Sequence, residues 1–466
     1  MSLSFGHLAG LVLTLALFLA LTVHAARSVK SAEGFSLSGR KSGQAMIAGS
    51  IAGTCVAGSS TIGTSQMAYS YGLCAWWFTL GVGLSLILMA TLYARPLRKS
   101  GLETLPQYLR QHYGQTAGML ASLISSTGIL FSAVASALSG IALIALVFHL
   151  SAWEAAGIIA VLVLASVFFG GIKGAGLVGL LKMAAIWIAL AAAGVLAVRT
   201  LAHVPHFAEV FPPGRWFNPF ARGIPETVAD LAALIVGMIC TQTYIQAIFS
   251  ATDSKTAARG TMIAAVLSIP VGLPCVAVGM AMRATHPHIA SIVALPLYLA
   301  TELPPFLGGI GLAGILFSVV GSIAGLALGI GTMMAGDFGR GLLHLTSSRS
   351  LLRINRAVVL GVVAVALWVA LANADTQVLD WNYMSMALRG AGVFLPMALA
   401  VFWPHRLRAG WAALSMAAST GLAVIGFAVG WPIHPLFIGL AVSIAVIGAG
   451  LTFSRRRHPD APCDSE

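Results

Sequence analysis

The chain has 466 residues, 58% of them hydrophobic and only 9% charged, with a mean hydropathy of +0.92. That balance excludes a soluble globular domain and describes a polytopic membrane protein. The net charge of +12 does not mark a nucleic-acid partner, because the basic residues sit in short connectors between apolar spans.

The five cysteines (Cys55, Cys74, Cys240, Cys275 and Cys463) show no pairing pattern and no CxxC, and the histidines include no HExxH. Neither a disulfide frame nor a thiolate metal site is read from them. His286 and His288 flank a proline in a loop and are read as solvated.

The first apolar run, 4–25, lacks a basic leader and has its positive flank after it, at Arg27 and Lys30. It is read as a membrane helix with its N-terminus outside, not as a signal peptide. Twelve further spans are predicted at 44–71, 73–95, 118–148, 153–170, 175–200, 227–249, 258–282, 306–334, 353–373, 379–403, 409–429 and 434–453. This count places the C-terminus in the cytoplasm. The predicted outer side carries only Arg199, Arg215, Arg222 and Arg283, and Arg389 lies inside a span. All other lysines and arginines fall in the proposed cytoplasmic connectors and span ends, as the positive-inside rule requires.

The span 44–71 is a poor greasy helix. Gly53, Gly58 and Gly63 alternate with Thr54, Ser59, Ser60, Thr61, Thr64 and Ser65. Glycine weakens a helix and hydroxyls compete for its backbone bonds. The span can therefore unwind and offer carbonyls to a polar guest, or let neighbouring helices approach closely. Residues 101–115 are read as a short amphipathic surface segment begun by Thr104, with Pro106 near its start. Residues 203–226, with five prolines and Trp216, are read as an ordered outer loop capping an entrance. Residues 290–304 are read as an outer half-helix, and the charged tail from Ser454 as disordered.

No Asp or Glu lies near the centre of a span, which argues against a carboxylate proton relay and against paired-carboxylate catalysis. Two cations lie deeper. Lys182 either snorkels or faces the core, where a buried ammonium gives up its proton more readily and can carry it. Arg389, in MALRGAGVFLP, either pairs with backbone carbonyls or holds a substrate carboxylate. Thr241, Gln242, Thr243, Tyr244 and Gln246 make a polar patch in span 227–249. Ser318, Gly321, Ser322, Gly325 and Gly329 make a small-residue stripe in span 306–334.

Several motifs recur together in one order: FSLSGRKSG, the glycine-rich span ending in AYSYG, TLPQYLRQHYG, FGGIKGAG, CTQTYIQAIFSATDSKTAARG and LPPFLGGIGLAGILFSVVGSIAGLALGIGTMMAGDF. Over roughly residues 25–405 the chain resembles the sodium/solute symporter family, which includes the proline, pantothenate, sialic acid and sodium/glucose symporters. The resemblance implies an all-α, leucine-transporter-like core of two inverted five-helix repeats working by alternating access.

The implied division is a first helix and connector (1–43), a first repeat (44–200), an outer loop (201–226), a second repeat (227–403), two peripheral helices (404–453) and a tail (454–466). The resemblance also places a sodium ion, with no other cofactor, at the carbonyls of Gly53, Val56 and Ser318 and at positions 321 and 322.

This chain departs from the family pattern there. A hydroxyl residue is replaced by Gly321, leaving Ser322 alone. The acid and glutamine of a Thr-Asp-x-x-Gln pattern become Gly179 and Lys182, and an arginine becomes Ala247. Thr54, Ser59 or water could cover the missing oxygen, or the Lys182 ammonium could stand in for the ion. The reading is an importer, not an enzyme, for a small anionic or zwitterionic solute coupled to sodium, with Cys55, Ser59, Ser60, Gln242 and Arg389 near the solute. The alternatives are a proton-coupled or ion-independent transporter using Lys182, and a membrane sensor with a transporter fold, against which the short tail argues. The expected partners are the solute and the lipid bilayer, with no nucleic acid.

Overall fold

The computed structural model describes residues 3–27, 40–169, 172–340 and 347–455. Among these the protein is helical, with one isolated bridge between Ser42 and Ala251. Ten stretches are long and apolar enough to cross a membrane, and Phe5–Leu21, Ala152–Val167 and Ser291–Thr301 are shorter apolar helices. Each predicted span coincides with a helix or an interrupted helix. The reading of the tail falls almost wholly outside the described residues.

In chain order the helices are α1 (Phe5–Arg27), α2 (Gln44–Cys55), α3 (Thr64–Tyr71), α4 (Trp77–Leu88) and α5 (Ala94–Lys99). They continue with α6 (Leu105–Phe148), α7 (Ala152–Phe169), α8 (Ile172–Ala202), and the short turns α9 (Phe207–Val210) and α10 (Pro213–Trp216). The second half holds α11 (Ile224–Ile239), α12 (Gln242–Phe249), α13 (Ser254–Ser268), α14 (Gly272–Thr285) and α15 (Ala294–Thr301). It ends with α16 (Pro305–Met333), α17 (Ser348–Ala372), α18 (Val378–Phe402), α19 (Ala409–Val429) and α20 (Pro435–Arg455).

The start of α6 forms as its sequence predicts. The Thr104 hydroxyl accepts from the Gln107 N–H at 3.2 Å, satisfying an orphan donor of the first turn. Gly114, at φ 81°, turns this surface segment into the long span that follows. At the start of α13, Asp253 accepts from Lys255 N and Thr256 N at 2.8 and 2.9 Å. The Thr256 hydroxyl and these amides hold its carboxyl down to about 2. The contribution of this cap is present above the ordinary carboxylate range and is lost only as pH falls through that depressed value.

Loop 203–226 is ordered: Phe211 and Trp216 are buried, and the Trp216 carbonyl lies over Gly72. A Cβ on Gly72 would come within 2.2 Å of that oxygen, and its φ is +71°, so only glycine suits the corner. The half-helix expected at 290–304 is present as α15.

The core is a sheaf in which α2 packs on α8 and α13, α3 on α14, α11 on α18 and α4, and α16 on α1 and α6. Close approach at small residues holds it together, since lipid tails give no hydrophobic drive between helices. A Cβ on Gly179 would sit 2.2 Å from the Gly49 carbonyl, and one on Gly237 would sit 2.3 Å from the Met386 carbonyl.

Candidate functional site

Two core helices are broken at mid-depth. The first break is Val56–Gly58, between α2 and a π turn over Ser59–Gly63 that leads into α3. Hydroxyls stitch it: Thr54 Oγ1 donates to Ser50 O at 2.8 Å, Ser60 Oγ to Cys55 O, and Thr61 Oγ1 to Ala57 O at 2.8 Å. From α16, Ser318 Oγ donates to Val56 O at 2.7 Å and Ser322 Oγ to Thr54 O at 3.4 Å. The glycine and hydroxyl content thus serves an unwound segment packed inside protein, where such backbone is tolerated.

The second break, at Cys240 and Thr241, separates α11 from α12. The sequence reading treats 227–249 as one helix, and here the structure corrects it. There is no glycine at this break. Its signal is the polar Thr241-Gln242-Thr243 run, in which Thr241 serves the freed backbone: Thr241 Oγ1 donates to Gly237 O at 2.9 Å.

Lys182 of α8 is buried, not snorkelled. Its Cε lies 3.0 Å from where a Cβ of Gly53 would be, and its Nζ 3.8 Å from where a Cβ of Gly321 would be. The ammonium therefore sits between two of the residues the sequence reading nominated for the ion. Among the described residues no carboxylate lies within ion-pair distance of it. Gly321 provides its room. Gly179, one turn earlier, is pressed against the backbone of Gly49 and leaves no space for an acidic side chain.

This gives a paired expectation. Gly179→Ala should destabilise the protein by about 1–3 kcal/mol through overpacking against backbone, whereas Gly321→Ala, in ordinary contact only, should be tolerated. Thermal unfolding in detergent compares the two, and equal effects would refute this reading of the packing.

A narrow cavity of about 40 Å3 lies where the breaks meet, room for very few waters. It is lined by Thr54, Cys55, Ser59, Tyr244, Ser322 and Arg389, together with Phe78, Ser132, Ser136, Thr241, Asn382 and Met386. Arg389 has no exposed surface. Its Nε donates to Ser385 O at 3.1 Å, Nη1 to Thr241 Oγ1 at 2.7 Å, and Nη2 to Ser385 Oγ at 2.7 Å and Ser132 Oγ at 3.3 Å. All these acceptors are neutral. The guanidinium is held by hydroxyls, one carbonyl and the Met386 thioether and has no counter-charge among the described residues, an expensive state in a low dielectric. Gly128 makes room for its aliphatic stem.

Salt bridges join the elements on two faces of the sheaf. On the 203–226 face, Arg222 bridges Asp230 Oδ2 of α11 and Asp380 Oδ1 of α18, each at 2.9 Å. Its guanidinium lies 5.9 Å from the ring centres of Tyr71 and Tyr383. Tyr383 in turn packs edge-on against the lining residue Phe78. On the opposite face Arg110 pairs with Asp337. A wider cleft of about 660 Å3 opens on the 203–226 face, lined by Ser70, Glu209, Arg215, Trp216 and Arg283. It is a surface vestibule, away from both breaks.

Of the nominated solute residues, Cys55, Ser59 and Arg389 line the narrow cavity. Ser60 and Gln242 do not. Ser60 is spent on closing the first break, and Gln242 turns to the opposite face, where Oε1 accepts from Leu105 N at 2.8 Å. Of the nominated ion residues, Gly53 and Gly321 flank Lys182, Ser318 bonds the Val56 carbonyl and Ser322 bonds the neighbouring Thr54 carbonyl. Sequence reading missed Asn382 and Ser385. Asn382 Nδ2 donates to Ser59 Oγ, and Asn382 Oδ1 accepts from Ser132 Oγ at 3.2 Å. Their signal is the spacing of Asn382, Ser385 and Arg389, which puts all three on one helix face.

A model of the sodium:solute symporter family matches residues 35–418. The chain is 23% identical over 333 residues to the high-affinity choline transporter 1 of Torpedo marmorata, covering 67% of this chain and 56% of that protein. It thus spans little more than half the length of that relative. Its fold is similar to a Na+-coupled sialic acid symporter solved in a substrate-bound outward-open state, with TM-score 0.78, 19% identity and 98% of each chain covered. It is also similar to a nucleobase-cation-symport-1 family transporter, with TM-score 0.56, 11% identity, and 92% and 96% covered. A manganese transporter of Eremococcus coleocola gives TM-score 0.53, 16% identity, and 92% and 97% covered.

Proposed function

The chain belongs to the sodium:solute symporter family and is a multi-pass membrane transporter, not an enzyme; from that premise we propose that it takes up a small organic anion or zwitterion by alternating access. The observation that carries this is Arg389, a fully buried guanidinium in the cavity between two broken helices, with no carboxylate among the described residues to balance it. A solute carboxylate supplies the missing charge and can take a bidentate pair of hydrogen bonds. The named relatives do not agree on charge, since one carries sialic acid and another choline. The sign is therefore argued from this cavity, and a buried guanidinium disfavours a cation.

Two salt-bridged clusters support alternating access. Arg222 joins Asp230 to Asp380 on one face and Arg110 pairs with Asp337 on the other, while the cavity of about 40 Å3 between the breaks is too small for an organic solute. Loading needs the Arg222 side to open, and release needs the Arg110 side to open. The distribution of lysine and arginine places the Arg222 side outside.

For the coupling ion, the geometry favours Lys182, whose ammonium fills the position between Gly53 and Gly321. A proton carried by this amine would take the place of sodium. Sodium itself is the second reading. It is favoured by family membership and by the oxygens that α16 brings to the first break, where Ser318 meets the Val56 carbonyl and Ser322 the Thr54 carbonyl.

A thermal-shift screen of the purified protein against amino acids, carboxylates and sugars, with and without sodium, tests the solute class. Carboxylate-bearing compounds are expected to raise the unfolding temperature with concentration as RT ln(1 + [L]/Kd). Stabilisation by neutral sugars or cationic amines alone would sink the proposal.

A further inference from the structure

On the face closed by Arg222, Glu226 and Asp230 project from one side of α11, one helical turn apart. The ring of His434, in the link leading to α20, meets them there. One ligand atom from each lies within 4.8 Å of the others. Asp230 is only 5% exposed. Arg222 takes one of its carboxylate oxygens, Oδ2. Arg222 pairs with Asp230 and Asp380, and Glu226 lies beside Asp230, so three carboxyl groups gather about one guanidinium. In a chain of net charge +12 such an acidic cluster runs against the whole.

We propose that Glu226, Asp230 and His434 form a site for a divalent transition-metal ion, separate from the transport cavity. One imidazole and two carboxylates are the donor set of zinc and its neighbours. An imidazole also sets the site apart from the all-oxygen cages that suit magnesium or calcium. A bound dication does not have to displace Arg222, which takes only Oδ2 of Asp230. The histidine gives up little in exchange. Its Nδ1 accepts a long bond, 3.3 Å, from Leu436 N, and that bond is lost whichever ring nitrogen takes the metal. The ion would tie the first turn of broken helix α11 to peripheral helix α20, beside the Arg222 clamp, and so hold that face closed.

The test is titration of the full-length protein in detergent with zinc chloride. A one-to-one isotherm is expected, with none for magnesium. Loss even of outer-shell partners of a metal weakens binding about 10–100-fold. His434→Ala and Glu226→Gln should therefore each weaken zinc by at least about tenfold, while a His286→Ala/His288→Ala double variant should not. Glu226 is exposed, so its substitution leaves the core intact, and metal-free thermal unfolding checks that both variants fold. Absence of a zinc isotherm, or one unmoved by His434→Ala and Glu226→Gln, overturns the site, as does equal weakening by the His286/His288 variant.

Discussion

Replacing Arg389 with methionine is expected to abolish binding of the carboxylate solute while leaving the fold as stable as before, or more so. The side chain is fully buried and its hydrogen bonds run to Ser385, Thr241, Ser132 and the Met386 thioether, all neutral. Burying an unbalanced charge is a standing cost, and an apolar side chain of similar volume often relieves it. Each charge-assisted hydrogen bond to a carboxylate contributes about 1.5–3 kcal/mol, a factor of roughly ten to a hundred in affinity. Loss of two would put binding out of reach of a thermal-shift titration. Lysine should restore little, since a point charge on a flexible stem cannot reproduce the planar fork. The measurement is the unfolding temperature of wild type and variant, each with and without the stabilising carboxylate. A destabilised Met variant that still binds solute would show that Arg389 is a structural strut.

The second large effect is expected at Lys182. With the amine carrying the coupling proton, Lys182→Gln should remove the dependence of uptake on an inward proton gradient and stop concentrative uptake. Sodium should matter for neither protein. The sign is set by the gradient: acidifying the outside accelerates wild-type uptake and alkalinising it slows uptake, because loading requires the protonated amine. The check is uptake into proteoliposomes at imposed pH and sodium gradients, using the solute found by the stability screen. Unchanged sodium-driven uptake in the Gln variant would instead establish the oxygens of Val56, Ser318 and Ser322 as the ion site.

Local chemistry made much of this legible in the sequence. A run of twenty apolar residues has few alternatives to a membrane helix, so the spans emerged from composition. The break in span 44–71 was readable because three glycines and six hydroxyls weaken a helix in an obvious way. The break at Thr241 was not, because a short polar run also suits an intact helix packed among neighbours. Gln242 illustrates a further limit. Its chemistry suits a solute site, but helix rotation after the break turns it to Leu105 N. Asn382 and Ser385 were passed over because a lone polar residue in a span has meaning only once its partners, Ser59 and Ser132, are brought to it.

By itself, then, the sequence determined the membrane class, the spans, the family and the weak point in span 44–71. Each of these depends on residue type and spacing along one chain. Only the tertiary structure decided that Lys182 points between Gly53 and Gly321, that Arg389 lacks a counter-charge, and that Arg222 joins Asp230 to Asp380. The reason is physical: burial and pairing of a charge depend on which helix faces meet, and contacts such as Arg222 to Asp380 and Arg389 to Thr241 join residues more than a hundred positions apart.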